Sequence, residues 1–362
     1  MNPKGEYKVR NHFPVIRNLN NNIILDCNNI TISGRGYETV IHNMGYWHEG
    51  KYHVEDVFNI VNCKNLTICN LSVTAEKKQS TPELDQSGKP IYSGTNAFSL
   101  INYVENIKIK NCRAFDMPAM WYYYADIDYY YPDGGKGFTI QHEGGDGLKH
   151  KGVHNVVFEN CTVDNCASAF DVVINKNVSC NQVVWNNCTE KNCSYGVYVV
   201  NSKLNEATNI SFNHLRVEDC QIGVYGYIPV GLTITDSYFY SNSNERKYPA
   251  HLTDSYFVQF FSAHNCTLNN NCFIKGKDIT LENAIWLGQC GAANKYTTEG
   301  VSLMNNYFVG NFNGSVVKFI DPIKSNAVRF KNITTKNNSV EGKYKGKIIE
   351  SPSRFDKTFV VE

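Results

Sequence analysis

Residues that could move protons are concentrated at positions 142–152, which read HEGGDGLKHKG. On a strand, Lys149 and Lys151 would face one side and Leu148 the other. If Leu148 enters the core, the lysines project from the surface, and the glycines leave room for a ligand. A lysine serves as a base when neighbouring cations and partial burial lower its pKa, and His142 and His150 lie nearby. The alternative is two solvated lysines on an exposed strand.

Carboxylates offer a second kind of chemistry. A glycoside hydrolase needs two carboxyl groups about 5–10 Å apart. Asp146 and Asp171 are 25 residues apart, close to one internal repeat of this chain. Stacked repeats would place them on adjacent rungs about 5 Å apart, and Glu143 offers a further partner.

An aromatic cluster precedes these residues. Seven aromatic residues occur within the eleven positions 121–131. Aromatic faces stack on the apolar faces of sugar rings, and tyrosine hydroxyls add hydrogen bonds. We expect this segment to bind sugar, although the rings could instead pack the loop against the protein body. With the two histidines, the predicted substrate-binding residues are Trp121, Tyr122, Tyr124, Tyr129, Tyr131, His142 and His150.

An internal repeat indicates what positions these residues. Cys166, Cys193 and Cys220 are separated by 27 and 27 residues, each follows Asn or Asp, and an apolar run follows each. Short alternating stretches such as NITIS at Asn29 and NISFN at Asn209 recur along the chain, at gaps whose shortest are 22–27 residues. Runs of alternating β-branched and aromatic residues that end at Asn, Gly or Asp are typical of short strands and turns.

The repeat predicts an all-β fold, a right-handed parallel β-helix of about eleven coils that stack at about 4.8 Å. Equivalent Asn residues would form a hydrogen-bonded ladder at a corner, and Cys would pack reduced in the interior. We expect one domain over residues 1–362, with loop insertions at about 43–58, 74–96 and 113–146. Insertions in a solenoid often carry its binding surface.

Two segments resemble the pectate-lyase-like superfamily of right-handed parallel β-helices. PKGEYKV at Pro3 is similar to the "PKGTY" stretch that opens many of its members, and ITISGRG at Ile30 is similar to the coil that follows. GGDGLKHKG at Gly144 resembles the "GNGFKLGG" segment of family-9 polysaccharide lyases. That resemblance implies that Lys149 removes the C5 proton of a uronate.

The resemblance breaks at the calcium site. Those lyases carry "DDGWD" to bind calcium, whereas the comparable place here reads PAMWY at Pro118. We therefore predict no metal site and no cofactor, with calcium as the alternative because Asp116, Asp126 and Asp128 lie nearby. Lys151, Lys136 or a histidine would neutralise the uronate carboxylate instead.

The favoured function is a carbohydrate-active enzyme, a β-eliminating lyase on a uronate-containing glycan. A glycoside hydrolase with a carboxylate pair is the first alternative. A non-catalytic glycan-binding rod of the tailspike or adhesin type, which often trimerises, is the second.

The composition restricts the partners. A formal net charge of +1 argues against a general nucleic-acid binder. No apolar run approaches the roughly 20 residues of a membrane span. The first residues lack the apolar centre of a signal peptide, so a secreted or cell-surface location is expected only if a leader precedes them.

Overall fold

The computed structural model describes most of the chain between 15 and 361. The described ranges are 15–19, 22–26, 28–43, 46–48, 51–53, 56–75, 95–124, 129–141, 152–174, 179–204, 206–243, 255–288, 296–320, 329–352, 358 and 360–361. Within 15–26, 46–53 and 120–133 only the backbone is described. No helix suited to crossing a membrane occurs within these ranges.

Nearly all strands belong to one parallel sheet that winds into three faces. The first face comprises β2 (Asn22–Asp26), the first parts of β7 (Phe58–Ala75) and β8 (Phe98–Phe115), β11 (Lys136–Gln141), β14 (Ser168–Ile174), β17 (Tyr195–Asn201), β20 (Ile222–Tyr227), β23 (Tyr256–Phe261), β26 (Ile285–Gly288), β30 (Val317–Phe319) and β34 (Ile349–Glu350). Within the described ranges, eleven strands therefore stack on this face, which confirms the predicted parallel β-helix of about eleven coils.

The other two faces are built in the same way from shorter strands. The second face contains β3 (Asn28–Ser33), the middles of β7 and β8, β12 (Val153–Glu159), β15 (Cys180–Asn186), β18 (Ala207–Asn213), β21 (Leu232–Thr235), β24 (Thr267–Asn269), β28 (Ser302–Met304), β32 (Thr334–Lys336) and β35 (Val360–Val361). The third contains β4 (Val40–Asn43), the ends of β7 and β8, β13 (Thr162–Asp164), β16 (Thr189–Lys191), β19 (Arg216–Glu218), β22 (Tyr238–Ser241), β25 (Cys272–Lys275), β29 (Tyr307–Val309) and β33 (Ser339–Glu341).

Four smaller pairings complete the described strands. β1 (Val15–Leu19) runs antiparallel to β2. Two hairpins, β5 (Tyr46–His48) with β6 (Lys51–His53) and β9 (Ala119–Tyr124) with β10 (Tyr129–Gly134), lie between coils. β27 (Thr298–Glu299) pairs in parallel with β31 (Phe330–Lys331).

Asparagine turns the corners between faces. Asn29, Asn65, Asn106 and Asn155 all have φ between 53° and 58°, the left-handed region that Asn tolerates better than other non-glycine residues. Their side-chain amides donate from coil to coil, at 2.8 Å from Asn65 to Asn29, 2.9 Å from Asn106 to Asn65 and 2.7 Å from Asn155 to Asn106. The predicted ladder is thereby confirmed.

The interior is a set of columns of like residues. Phe58, Phe98 and Phe138 stack on the first face with ring centroids 5.2 and 4.7 Å apart. Asp164, Lys191 and Glu218 pair in register on the third face, so Cys166, Cys193 and Cys220 follow at equivalent positions, and all three are buried. This column confirms the premise that the 27-residue interval is one coil.

Glu190 departs from this pattern. It pairs with Val163 in one neighbouring coil and Val217 in the other, and its side chain is fully buried without a hydrogen bond to either carboxyl oxygen. A β-carbon on Gly196 would come within 2.2 Å of Glu190 Oε1, so the glycine makes room for this carboxyl. Burial raises the pKa of Glu190 well above its ordinary value, with the nearby Cys193 adding to the effect.

The ladder predicts unequal effects of two substitutions. Asn106→Gly should lose only the amide hydrogen bonds, each worth about 0.5–1.5 kcal/mol. Asn106→Ala should lose the same bonds and also keep a β-carbon in the left-handed region without the local side-chain hydrogen bonding by which Asn tolerates it, at a cost of about 1–2 kcal/mol relative to Gly. Urea unfolding should therefore rank the wild type above the Gly variant and the Gly variant above the Ala variant. Equal stability of the two variants would contradict the assigned role of the backbone.

Glu190 predicts a pH dependence of stability. The folded carboxyl keeps its proton to a higher pH than the unfolded one, so its contribution is complete below the ordinary Glu pKa of 4.5 and is lost as pH rises above it. The loss is about 1.4 kcal/mol per pH unit until the folded group ionises. Glu190→Gln should remove this slope, as measured by urea unfolding across that pH range. An identical slope in the variant would refute the assignment.

Candidate functional site

One outward-facing column runs along the first face. The strand register places Ser99, Thr139, Asp171, Tyr198, Tyr225, Gln259 and Trp286 at equivalent positions of successive coils. The column is polar and buried at its N-terminal end, where Ser99, Thr139 and Asp171 are at most 1% exposed. Further along, Tyr198, Tyr225 and Trp286 are aromatic and half-buried, and the buried Gln259 lies between the last two.

A buried ion pair lies at the polar end. Lys136 Nζ is 2.8 Å from Asp171 Oδ2, and the two side chains are only 5% and 1% exposed. The Ser168 hydroxyl also donates to the Asp171 carboxylate. Removing two charges from water is expensive, and their attraction offsets that cost only when the geometry is good. Such a pair on the outward side of a sheet marks this place as a candidate site.

A second carboxyl group, that of Asp56, lies closer to the N-terminal end of the β-helix than Asp171. It accepts hydrogen bonds from the Asn96 backbone N–H at 2.8 Å, the Asn96 Nδ2 at 3.1 Å and the Ser99 hydroxyl at 2.5 Å. Burial raises the pKa of Asp56, while these hydrogen bonds and the charge of Lys136 oppose the rise. Asp56 therefore ties the coil of β7 to the coil of β8.

The spacing of Asp56 and Asp171 excludes these two residues as the carboxylate pair of a hydrolase. Asp56 begins the coil of Phe58, and Asp171 lies three coils further on, after Phe98 and Phe138. Three coil steps are about 14 Å, which exceeds the roughly 5–10 Å between the carboxyl groups of glycoside hydrolases. These two carboxyls are therefore not such a pair.

An aromatic belt extends from this polar end along the axis. Tyr198 and Tyr225 stack at 5.0 Å with an interplanar angle of 12°. Phe261 contacts Tyr225 at 5.7 Å and Trp286 at 4.8 Å between ring centroids. We define the aromatic belt as Tyr195, Tyr198, Tyr225, Tyr227, Phe261 and Trp286. Its tyrosines other than Tyr195, together with Trp286, remain half-buried and so keep part of their surface in contact with solvent.

The residues predicted from sequence fall into three groups. Asp171 lies within the described residues, where its carboxylate forms a salt bridge with Lys136. The aromatics predicted to bind substrate lie on the β9–β10 hairpin, whose backbone register sets Tyr122 opposite Tyr131, Tyr124 opposite Tyr129, and Trp121 opposite Pro132. Six residues lie outside the described ranges: His142, Glu143, Asp146, Lys149, His150 and Lys151. Their assigned roles remain predictions.

Strand β11 connects these groups. The hairpin ends at Gly134, one residue before Gly135 and two before Lys136. The undescribed segment 142–151 begins directly after Gln141, where β11 ends. The predicted aromatic segment therefore precedes β11, the strand that contains Lys136, and the predicted catalytic segment follows it in sequence.

Three features were not predicted from the sequence: the aromatic belt, Asp56 and the Lys136–Asp171 pair. The 27-residue repeat could have placed Tyr198 beneath Tyr225, since GVYVVN and GVYGYI both contain the tyrosine. No comparable signal connects Lys136 with Asp171, because the intervening coil has a different length. Among the described residues, no three His, Cys, Asp or Glu side chains are arranged to hold a metal ion.

The ion pair predicts a strongly non-additive stability effect. Lys136→Met should leave a buried, unpaired Asp171 and reduce the free energy of unfolding by about 3–5 kcal/mol. Lys136→Met combined with Asp171→Leu should recover most of that loss, because neither charge remains. Urea unfolding of the two single variants and the double variant measures the coupling. Additive losses would show that the two side chains do not stabilise each other.

Comparisons with known proteins give distant structural matches. No protein-family model and no curated protein sequence matches the chain. The A-module of the Azotobacter vinelandii mannuronan C-5 epimerase AlgE6 is 12% identical with a TM-score of 0.36, over 87% of this chain and 84% of that one.

Two phage tailspikes match similarly. The tailspike gp49 of the Acinetobacter baumannii bacteriophage Fri1, a capsular polysaccharide depolymerase, is 10% identical with a TM-score of 0.35, over 89% of this chain and 57% of that one. Tailspike protein 3 of bacteriophage CBA120 is 10% identical with a TM-score of 0.37, over 89% of this chain and 52% of that one.

The chain thus spans little more than half the length of either tailspike. All three TM-scores lie below 0.5, so the fold assignment rests on the strand pairing and the activities of these proteins remain their own. By its own coil-to-coil register, this chain is a parallel β-helix protein.

Proposed function

We propose that this protein binds a polysaccharide along its first face and cleaves it, with β-elimination at a uronate residue as the favoured reaction. The observation that carries the proposal is the aromatic belt, which runs along the axis and ends at the buried Lys136–Asp171 pair. Carbohydrate sites combine apolar ring faces with a few fixed polar groups. The first face has that composition.

The belt suits an extended ligand better than a compact one. Its rings belong to successive coils about 4.8 Å apart, so they form a continuous surface along the axis. Tyr198, Tyr225 and Trp286 present ring surface that is half-buried and thus held in one orientation by their neighbours. A polysaccharide lying parallel to the axis would contact one ring after another.

The favoured chemistry is removal of a proton next to a carboxylate. That step requires a base near the working pH and positive charge to stabilise the developing dianion. We assign Lys149 as the base, with Lys151, His142 and His150 supplying charge and hydrogen bonds. In this scheme Lys136 fits a positioning role, because its charge is already balanced by Asp171.

Hydrolysis is the second candidate reaction. It would use Asp146 and Glu143 as the carboxylate pair, since Asp171 is engaged by Lys136 and Ser168. Binding without cleavage, by a glycan-binding rod that forms a homotrimer, is the remaining alternative. The partner in all three cases is a polysaccharide or oligosaccharide.

Product chemistry separates these functions. Incubation with polygalacturonate or polymannuronate should yield an unsaturated uronate, which is followed by its ultraviolet absorbance, whereas a neutral glucan, which has no carboxylate, should not. Lys149→Ala should reduce that rate by about 10²–10⁴-fold, as expected for loss of a general base. Lys108→Ala is the matched control, because Lys108 pairs with Glu159 on the second face. New reducing ends without unsaturated product would establish hydrolysis, and full activity of Lys149→Ala would refute the assigned base.

The belt makes a separate contribution. Tyr225→Ala should raise the dissociation constant for the polysaccharide about two- to twelvefold, because one stacking contact is worth about 0.5–1.5 kcal/mol. Isothermal titration with inactive Lys149→Ala protein measures this effect without cleavage. Unchanged affinity would place the polysaccharide elsewhere.

A further inference from the structure

The third face changes character after Arg216 and Glu218. In the two preceding coils, the outward positions of this face are Thr162 and Asp164, then Thr189 and Lys191. In the next three coils the outward positions that flank the inward phenylalanines are all apolar or aromatic. We define this apolar block by its six members: Tyr238, Tyr240, Cys272, Ile274, Tyr307 and Val309.

The interior fixes the orientation of the block. Phe239, Phe273 and Phe308 alternate with its members and stack in the core, with ring centroids 4.7 and 5.0 Å apart. Residues on either side of an inward position in a strand must face outward. Tyr307 is 39% exposed, and the other five members are half-buried. Single exposed apolar residues are ordinary, whereas these six are adjacent and form one contiguous apolar surface on a regular sheet.

Polar groups bracket the block at both ends. The Arg216 guanidinium lies 4.9 Å from the centre of the Tyr238 ring, and its Nε donates to Glu218 Oε1 at 2.7 Å. At the other end the Tyr307 hydroxyl donates to Glu341, one coil further on. An apolar floor with a few oriented polar groups at its margins is the pattern of a carbohydrate or small-molecule site.

The size of the block argues against a protein partner. Two residues along a strand span about 7 Å, and three coils span about 10 Å between the outer two. A stable protein interface buries roughly 800 Å² on each side, many times this footprint. One or two sugar rings would cover it.

We propose that the apolar block is a second binding site for the polysaccharide, on a different face from the aromatic belt. This inference rests on the proposed function, since it assumes a polysaccharide ligand. A site on another face can hold a distant part of the same polymer or a neighbouring polymer chain. Tethering of this kind raises the effective concentration of the substrate at the first site.

Affinity electrophoresis tests the inference. Gels containing polygalacturonate, polymannuronate or a neutral glucan retard a protein that binds the embedded polymer. The proteins compared are wild type, Tyr238→Ala combined with Tyr307→Ala, the belt variant Tyr225→Ala, and Tyr344→Ala. Tyr344 is a matched control, because it is 38% exposed but lies outside both sites. Thermal unfolding should show that the outward substitutions leave the fold intact.

The inference predicts that the block variant loses at least about threefold in apparent affinity for the polymer that retards the wild type, as expected for the loss of stacking contacts. Its rate on a di- or trisaccharide, too short to reach both faces, should equal that of the wild type. Retardation equal to wild type would overturn this inference alone. If the block variant loses retardation while the belt variant is retarded as much as the wild type, the result would support this inference. It would also contradict the proposed role of the first face. No retardation of the wild type by any polymer would overturn both.

Discussion

Backbone hydrogen bonds between successive coils are the interaction on which the whole structure depends. Thr189 donates to Cys161 and Arg216 donates to Cys188, both at 2.9 Å, and this pattern repeats along the axis. Because the pairing is parallel and in register, each residue lies over its equivalent in the previous coil. A residue's surroundings are therefore set largely by two equivalents that lie 22 to 49 positions away in sequence. The asparagine ladder follows from this rule, and so does the phenylalanine stack.

Equivalent positions of successive coils usually hold similar residues, so a residue that differs from its equivalents is informative. Glu190 interrupts a valine column inside the core and has no hydrogen-bond partner for its carboxyl oxygens. Asp171 interrupts the outward column at the place where polar residues give way to rings, and it has Lys136 and Ser168 as partners. A sequence that specifies one fold violates its own local pattern mostly at functional or strained sites. The partnered departure lies on the outward side of the sheet beside the aromatic belt, whereas the unpartnered one is buried in the core.

The fold was predictable from sequence because its period is visible there. Asn and Cys recur at fixed corners, and the intervals of 27 residues between Cys166, Cys193 and Cys220 are unbroken coils. The site was less predictable because the coils around it differ in length. From its spacing of 25 residues, Asp146 was predicted to lie one coil before Asp171. The register instead pairs Asp171 with Thr139, 32 residues earlier in the sequence. Insertion lengths depend on loops that follow no period, so spacing alone could not pair Lys136 with Asp171.

The aromatic residues differ in the same way in how far the sequence reveals them. The cluster at 121–131 is conspicuous because its rings are adjacent in sequence, and its residues pair across a hairpin. The belt is inconspicuous because each coil contributes only one or two rings, and only the stacking brings them together. A surface assembled from one position of each repeat is invisible until the register is known.

A distance along the axis tests the stacking most directly. Thr189 and Ser339 occupy one outward column of the third face, five coil steps apart. Spin labels at Thr189→Cys and Ser339→Cys, in a background with Cys27, Cys272 and Cys290 changed to Ser, should report about 24 Å by pulsed dipolar spectroscopy, five times the strand spacing. A distance far from five strand spacings would contradict the in-register stack, and with it the placement of the belt beside the ion pair.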